Sequence, residues 1–133
     1  RQIAVRLAWC LRGEDLVARL GGDEFAALIV PAASKKSPRI DEITQRLIAA
    51  VGEPILIAGR AVRVGCSIGF AEWPDHGVTL PEVLERADQA LYAAKRLGKN
   101  RAVAYTELEA GMADAGVEVA GGGGRTLGLV AFP

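Results

Sequence analysis

Two hydrophobic periods alternate along the chain. Ile3, Leu7, Cys10 and Leu11 recur at helical spacing and are followed by Gly13. Leu16 to Leu20 then reads as a strand, Gly21-Gly22-Asp23-Glu24 as a turn and Phe25 to Val30 as a returning strand, which predicts a β-hairpin. Ser-Lys-Lys-Ser-Pro at 34–38 is a loop. The helix beyond it carries Ile40, Ile43, Leu47 and Val51 on one face and stops at Gly52. A second hairpin follows, from Ile55 to Ala58 through a Gly59-Arg60 turn into a long alternating strand. In that strand Val62, Val64, Cys66, Ile68 and Phe70 face one way, and Arg63, Gly65, Ser67 and Gly69 the other. Pro74 ends the run.

The best-specified element is a helix from about Leu80 to Leu97. Thr79 and Glu82 have capping-box spacing, and Pro81 is tolerated in a first turn. Val83, Leu84, Ala87, Leu91 and Ala94 form its buried stripe. Lys95 and Arg96 suit the negative end of the helix dipole, and Gly98 fits the C-terminal cap. A short strand, Ala102 to Tyr105, closes the patterned region. From Thr106 to Ala120 the periodicity is weak, Gly121 to Gly124 is a flexible tetraglycine, and Arg125 to Pro133 ends with a short apolar run. Residues 1–105 therefore read as the domain and 106–133 as an unassigned tail. Interleaved helices and hairpins predict an α+β sandwich with helices against a mainly antiparallel sheet.

Composition narrows the class without naming a chemistry. At 133 residues, half hydrophobic and 24% charged, the chain suits one soluble globular domain. Its 16 basic and 16 acidic side chains cancel, which argues against nucleic-acid binding through a broad basic face. Cys10 and Cys66 are far apart and lack metal-ligand spacing, so two reduced, partly buried thiols are expected. No signal peptide or membrane-length apolar run is present. The first residue is Arg1 rather than Met, so a piece of a longer protein is expected, whose membrane attachment is not legible here.

The chemistry concentrates in Gly21-Gly22-Asp23-Glu24-Phe25. Two glycines at a hairpin tip permit positive φ and remove side chains that would block a ligand, so their amides can approach a phosphate. Two consecutive carboxylates beside that bare backbone suit a hard cation such as Mg²⁺, which shares oxygen ligands with phosphate. The alternative is an ordinary glycine turn with solvated acids. His76 is a lone loop histidine without metal-binding partners, Trp9 and Trp73 read as packing residues, and Ser67 has no nearby base.

Three segments, in order, resemble the GGDEF-domain diguanylate cyclases. They are Ala18-Arg19-Leu20-Gly21-Gly22-Asp23-Glu24-Phe25, Ser67-Ile68-Gly69-Phe70-Ala71, and the run Arg86-Ala87-Asp88-Gln89-Ala90-Leu91-Tyr92-Ala93-Ala94-Lys95-Arg96-Leu97-Gly98-Lys99-Asn100-Arg101. The resemblance covers about residues 1–105. It implies a nucleotide-cyclase-like (ferredoxin-like) sheet and a transferase of bacterial signalling that condenses two GTP into cyclic di-GMP and pyrophosphate. It also implies a homodimer of domains, two Mg²⁺ per GTP site, a cytoplasmic setting and an upstream sensory or regulatory domain.

By the same resemblance Asp23 and Glu24 are catalytic, metal-site carboxylates. Gly21, Gly22, Lys95 and Lys99 hold the phosphates. Lys99 stands where the family often has arginine, which keeps the charge and loses the bidentate fork. Arg12-Gly13-Glu14-Asp15 lies where the family has its RxxD product-inhibition site, with Arg46 as a secondary arginine; an exposed ion pair of little worth is the alternative. The family's first strand, which carries a further metal-binding aspartate, and its guanine-reading segment have no counterpart here. The fragment is therefore expected to be inactive alone, with a non-catalytic cyclic di-GMP-binding or dimerisation module as the other reading. Loss of a central strand would leave unpaired edges. The tail run Leu127 to Phe132 is one conceivable filler, although a glycine linker costs entropy and specifies no docking.

Overall fold

The computed structural model describes residues 2–30, 40–113 and 125–131. The elements run α1 (Gln2–Cys10), β1 (Leu16–Gly21), β2 (Glu24–Ile29), α2 (Ile40–Gly52), β3 (Ile55–Ile57), β4 (Arg60–Val62), β5 (Ser67–Trp73), α3 (Leu80–Arg96), β6 (Ala102–Ala104), α4 (Tyr105–Ala113) and β7 (Arg125–Ala131). Five strands form the main sheet in the order β1-β2-β7-β5-β6, antiparallel except for the β5–β6 pair. β3 and β4 make a separate two-stranded hairpin. The α+β class and mainly antiparallel sheet match the sequence expectation.

The helices form where local signals are strongest. Around α3 both halves of the capping box are made: the Thr79 hydroxyl accepts from the Glu82 N–H, and the Glu82 carboxylate accepts from Thr79 N–H at 2.9 Å. Its C-terminus closes through Gly98, at φ 113°, with the Lys99 N–H returning to Ala94 O at 3.0 Å. α1 and α2 lie on one face of the sheet over a core of Leu7, Phe25, Ile29, Leu47, Val51 and Phe70. α3 lies on the other face, over Ala71 and Val103. Arg6 on α1 donates to the carbonyls of Ala50, Val51, Glu53 and Pro54, which satisfies the C-terminal end of α2 and ties the two helices together.

Two sequence expectations change. The alternation from Val62 to Phe70 is not one strand: β4 ends at Val62 and β5 starts at Ser67. The Cys66 N–H turns to the Asn100 side chain at 3.4 Å instead of a strand neighbour, and the ladder resumes only beyond it. Residues 105–113 and 125–131, most of which were expected in the unassigned tail, form a helix and the middle strand of the main sheet. The slot between β2 and β5 is thus filled by the run considered a remote filler. The loop at 34–38, the tetraglycine and Phe132 lie outside the described residues.

Candidate functional site

β1 and β2 pair with Leu16 opposite Leu28 and Gly21 opposite Glu24, with an irregularity between Arg19 and Gly21. Gly22 adopts φ 52°, a conformation that a side chain would strain. A Cβ placed on either Gly21 or Gly22 would meet nothing within 4 Å, so both amide-bearing backbones are bare. The turn is held from outside itself: the Arg19 guanidinium donates to Gly22 O at 2.9 and 2.6 Å. Arg19 is therefore a positioning residue that the motif alone did not single out.

Asp23 and Glu24 are both exposed. Glu24 also borders a cleft of about 410 Å³ between the hairpin and α3, lined by Leu20, Phe25, Pro81, Leu84, Glu85, Asp88 and Leu91. Its walls are apolar and its three ionisable groups are carboxylates, so it favours a cation and opposes a bare phosphate. Among the described residues no group of three or more His, Cys, Asp or Glu side chains converges on a metal position. What exists is the pair Asp23 and Glu24. That fits Mg²⁺ bound through one or two carboxylates plus substrate phosphate oxygens, and does not fit an all-protein cage.

The register places the phosphate candidates. Ala131 at the end of β7 pairs with Glu24 on one side and Ser67 on the other. The loop before β6 lies at the same end of the sheet, because Arg101 O accepts the Ile68 N–H at 2.8 Å. Lys95, half-buried in the last turn of α3, and Lys99, exposed at φ 62°, flank that loop. From β2 to β6 there are three strand spacings, about 14 Å. The glycine turn and the lysine loop therefore share one sheet end.

Arg12, Asp15 and Arg46 gather elsewhere. Asp15 precedes β1, at the opposite end of the hairpin from Gly21, about 20 Å along the strand. Both Asp15 carboxylate oxygens are engaged, one by the Arg12 N–H at 2.9 Å and the other by the Val30 N–H at 3.0 Å. Arg46 donates to Cys10 O and so sits at the end of α1 from which the Arg12 loop leaves. The three residues share one junction, α1 to β1 beside α2, separate from the glycine turn.

His76 was underestimated by sequence. It is buried; its Nδ1 accepts the Glu72 N–H at 2.8 Å, and its Nε2 lies 3.1 Å from a Glu109 oxygen and 3.4 Å from the Thr106 hydroxyl. With Nδ1 accepting, the ring proton belongs on Nε2 and is donated toward Glu109. Its ring meets Tyr105 edge-on at 5.2 Å. These partners pin α4 to the β5–α3 loop. Glu109 lies beyond the patterned region, which is why no spacing signalled the contact.

Comparison with known proteins decides the family. The family model for the diguanylate cyclase GGDEF domain matches residues 1–101. The chain belongs to the GGDEF family. The diguanylate cyclase TpbB of Pseudomonas aeruginosa is 44% identical over 95 residues, 71% of this chain and 21% of that protein. The probable diguanylate cyclase DgcE of Escherichia coli is 39% identical over 111 residues, 83% of this chain and 10% of the relative. Among solved structures, a TpbB form comprising only the GGDEF domain superposes with a TM-score of 0.69 at 35% identity, over 85% of this chain and 65% of that one. An EAL/GGDEF domain protein from M. capsulatus gives 0.68 at 31% identity, over 79% and 66%. The chain thus spans a small part of its curated relatives and about two thirds of a solved GGDEF domain.

Among the described residues no helix is long and apolar enough to cross a membrane. Cys10 and Cys66 are free and buried; burial pushes the Cys66 thiol up to about 12 and raises Cys10, with Arg46 partly offsetting the latter.

Proposed function

We propose that this GGDEF chain is the GTP-phosphate-binding part of a diguanylate cyclase, and that by itself it binds nucleotide without turning it over. The observation that carries the reading is the bare Gly21–Gly22 backbone beside Asp23 and Glu24, at the same sheet end as Lys95 and Lys99. The glycine amides receive phosphate oxygens, and the two ammonium groups neutralise the distal phosphates. Asp23 and Glu24 hold Mg²⁺ together with those phosphates, and the metal supplies charge neutralisation there. In the parent protein two such domains face each other, and each GTP 3′-hydroxyl attacks the α-phosphate of the other, releasing pyrophosphate. Positioning two substrates is most of the work.

The strand next to Glu24 supports the second half of the proposal. Residues 125–131 contain no carboxylate, so the strand paired with Glu24 adds no further metal ligand. Arg12, Asp15 and Arg46 form the cyclic di-GMP product site, with arginine forks on phosphate or guanine edges and the carboxylate accepting from guanine N–H groups. Asp15 already accepts two backbone N–H groups, so it would contribute remaining lone pairs rather than a free carboxylate.

Titration with GTP and Mg²⁺, read by calorimetry, tests the first half: Lys95→Ala or Asp23→Ala should weaken binding by about tenfold each, roughly one charge-assisted contact. Equal affinities would overturn it. Accumulation of cyclic di-GMP from the chain alone would overturn the second half. Equal cyclic di-GMP affinity of wild type and Arg12→Ala would remove the product site.

A further inference from the structure

The middle strand of the sheet is the one with the weakest covalent claim to its place. β7 is hydrogen-bonded on both sides, from Glu24↔Ala131 to Ile29↔Thr126 along β2 and from Ser67↔Ala131 to Trp73↔Arg125 along β5. Neither neighbour is adjacent to it in sequence, since β2 precedes it by about a hundred residues and β5 by about fifty. Its preceding element, α4, is separately anchored through His76–Glu109 and through Arg86 stacked over Tyr105 at 5.3 Å. Residues 114–124 join the two and include Gly121-Gly122-Gly123-Gly124, a composition with little conformational preference of its own.

Without β7, both β2 and β5 present a full row of unpaired N–H and C=O groups. Any extended segment antiparallel to both satisfies the two rows. The run Arg-Thr-Leu-Gly-Leu-Val-Ala carries one charge at its start, and none of the proline or inward charge that blocks pairing in trans. Gly128, opposite Ala27 and Phe70, weakens the strand in its middle. Fully extended, the connection reaches about 40 Å, enough to deliver β7 to a neighbouring molecule while α4 stays docked.

We propose that the β2/β5 slot is a strand-acceptor site, and that residues 125–131 of one copy insert into the slot of a second copy to give a reciprocally strand-exchanged dimer. The occupant is the same in the monomer and the dimer; only the chain that supplies it changes. Insertion in cis is favoured by an effective concentration on the order of mM, so exchange in the wild-type chain becomes dominant only near that concentration. Shortening the connection removes this advantage and drives exchange at lower concentration. The inference is independent of the GTP reading.

The test uses the full chain in three forms. Deletion of Gly121–Gly124 should lower the concentration at which dimer equals monomer by at least tenfold, read by sedimentation equilibrium. Leu129→Pro, which removes a ladder N–H opposite Ala26 and Gly69, should abolish the dimer and bind a synthetic peptide of residues 124–133 one to one. Wild type should bind that peptide at least tenfold more weakly, because its own strand competes. If Leu129→Pro fails to fold alone, refolding with the peptide should recover it. A glycine-deleted chain that stays monomeric at every concentration overturns the exchange. A Leu129→Pro chain that neither binds the peptide nor is recovered by it overturns the acceptor site.

Discussion

The two faces of the main sheet treat the same strands differently. Toward α1 and α2, β2 contributes Phe25, Ala27 and Ile29, all buried, and β5 contributes Ile68 and Phe70, also buried. Toward α3, β2 contributes Ala26 and Leu28, which are only partly covered, and on β1 Leu16 and Leu20 remain 64% and 54% exposed. α3 packs against β5, β7 and β6 and leaves β1 to solvent, with the open cleft between them. One face is built for packing alone; the other is packed at one side and open beside the Gly21–Glu24 turn. A ligand that must touch the turn needs unfilled space there, and the sheet provides it on the face with the shorter cover.

Where α3 does cover the sheet, it lies close against β5 at Gly69. A Cβ at Gly69 would lie 2.0 Å from Leu91 N and 2.3 Å from Ala87 O. These are backbone atoms of a helix, which cannot rotate away. Gly69→Ala should therefore cost more than the ~1–3 kcal/mol typical of overpacking and should separate α3 from β5. Urea denaturation followed by circular dichroism measures this. A loss below about 1 kcal/mol would mean that α3 is free to shift outward.

The next largest effect contrasts the faces directly. Leu47, 3% exposed on the α1/α2 face, should cost about 2–5 kcal/mol on truncation to alanine. Leu20→Ala on the open face should change stability by no more than about 0.5 kcal/mol. If the GTP reading holds, it should alter nucleotide affinity more than it alters folding. Comparable losses at both positions would show that the cleft is closed in solution.

How much of this was legible depended on how local the cause is. α3 was readable to its caps, because Thr79, Glu82 and Gly98 act within a turn of where they stand. The glycine turn was readable because positive φ and bare backbone are properties of its own residues. The start of β5 was not, since Asn100, far along the chain, takes the Cys66 N–H. β7 was legible only as one conceivable filler of unpaired edges, because its short apolar run contains Gly128 and its partners are remote in sequence. Arg19, Arg6 and His76 were missed for a related reason. Each satisfies backbone or side-chain groups brought near by folding, and no motif carries that signal.

His76 sharpens the comparison at the edge where α4 extends the cover of the α3 face. His76→Ala removes the acceptor for the Glu72 N–H and the contact to Glu109, at about 1–2 kcal/mol. The loss should be local: amides of residues 105–113 should exchange faster with solvent, while those of α2 stay protected. Uniform loss of protection would mean that α4 is part of the cooperative core rather than an attached flap.

The smallest effect concerns the N-terminus of α3, which frames the cleft through Pro81 and Leu84. The Glu82 carboxyl is held below its ordinary 4.5, chiefly by hydrogen bonds from the Thr79 backbone and hydroxyl, then from the Val78 N–H. Because the folded value is depressed, its contribution to stability is complete above about 4.5 and is lost as pH falls through the folded value. Melting temperature should therefore decline on acidification below pH 4.5 by an amount that Glu82→Gln reduces. Thr79→Ala removes the reciprocal half of the box and should cost about 1 kcal/mol at neutral pH. In that variant the acid-dependent decline should shrink as well, since the carboxyl has lost its hydroxyl partner and part of its reason to stay ionised. If Glu82→Gln and wild type lose stability in parallel on acidification, the decline belongs to other carboxylates, and the cap contributes to the cleft's frame at every pH alike.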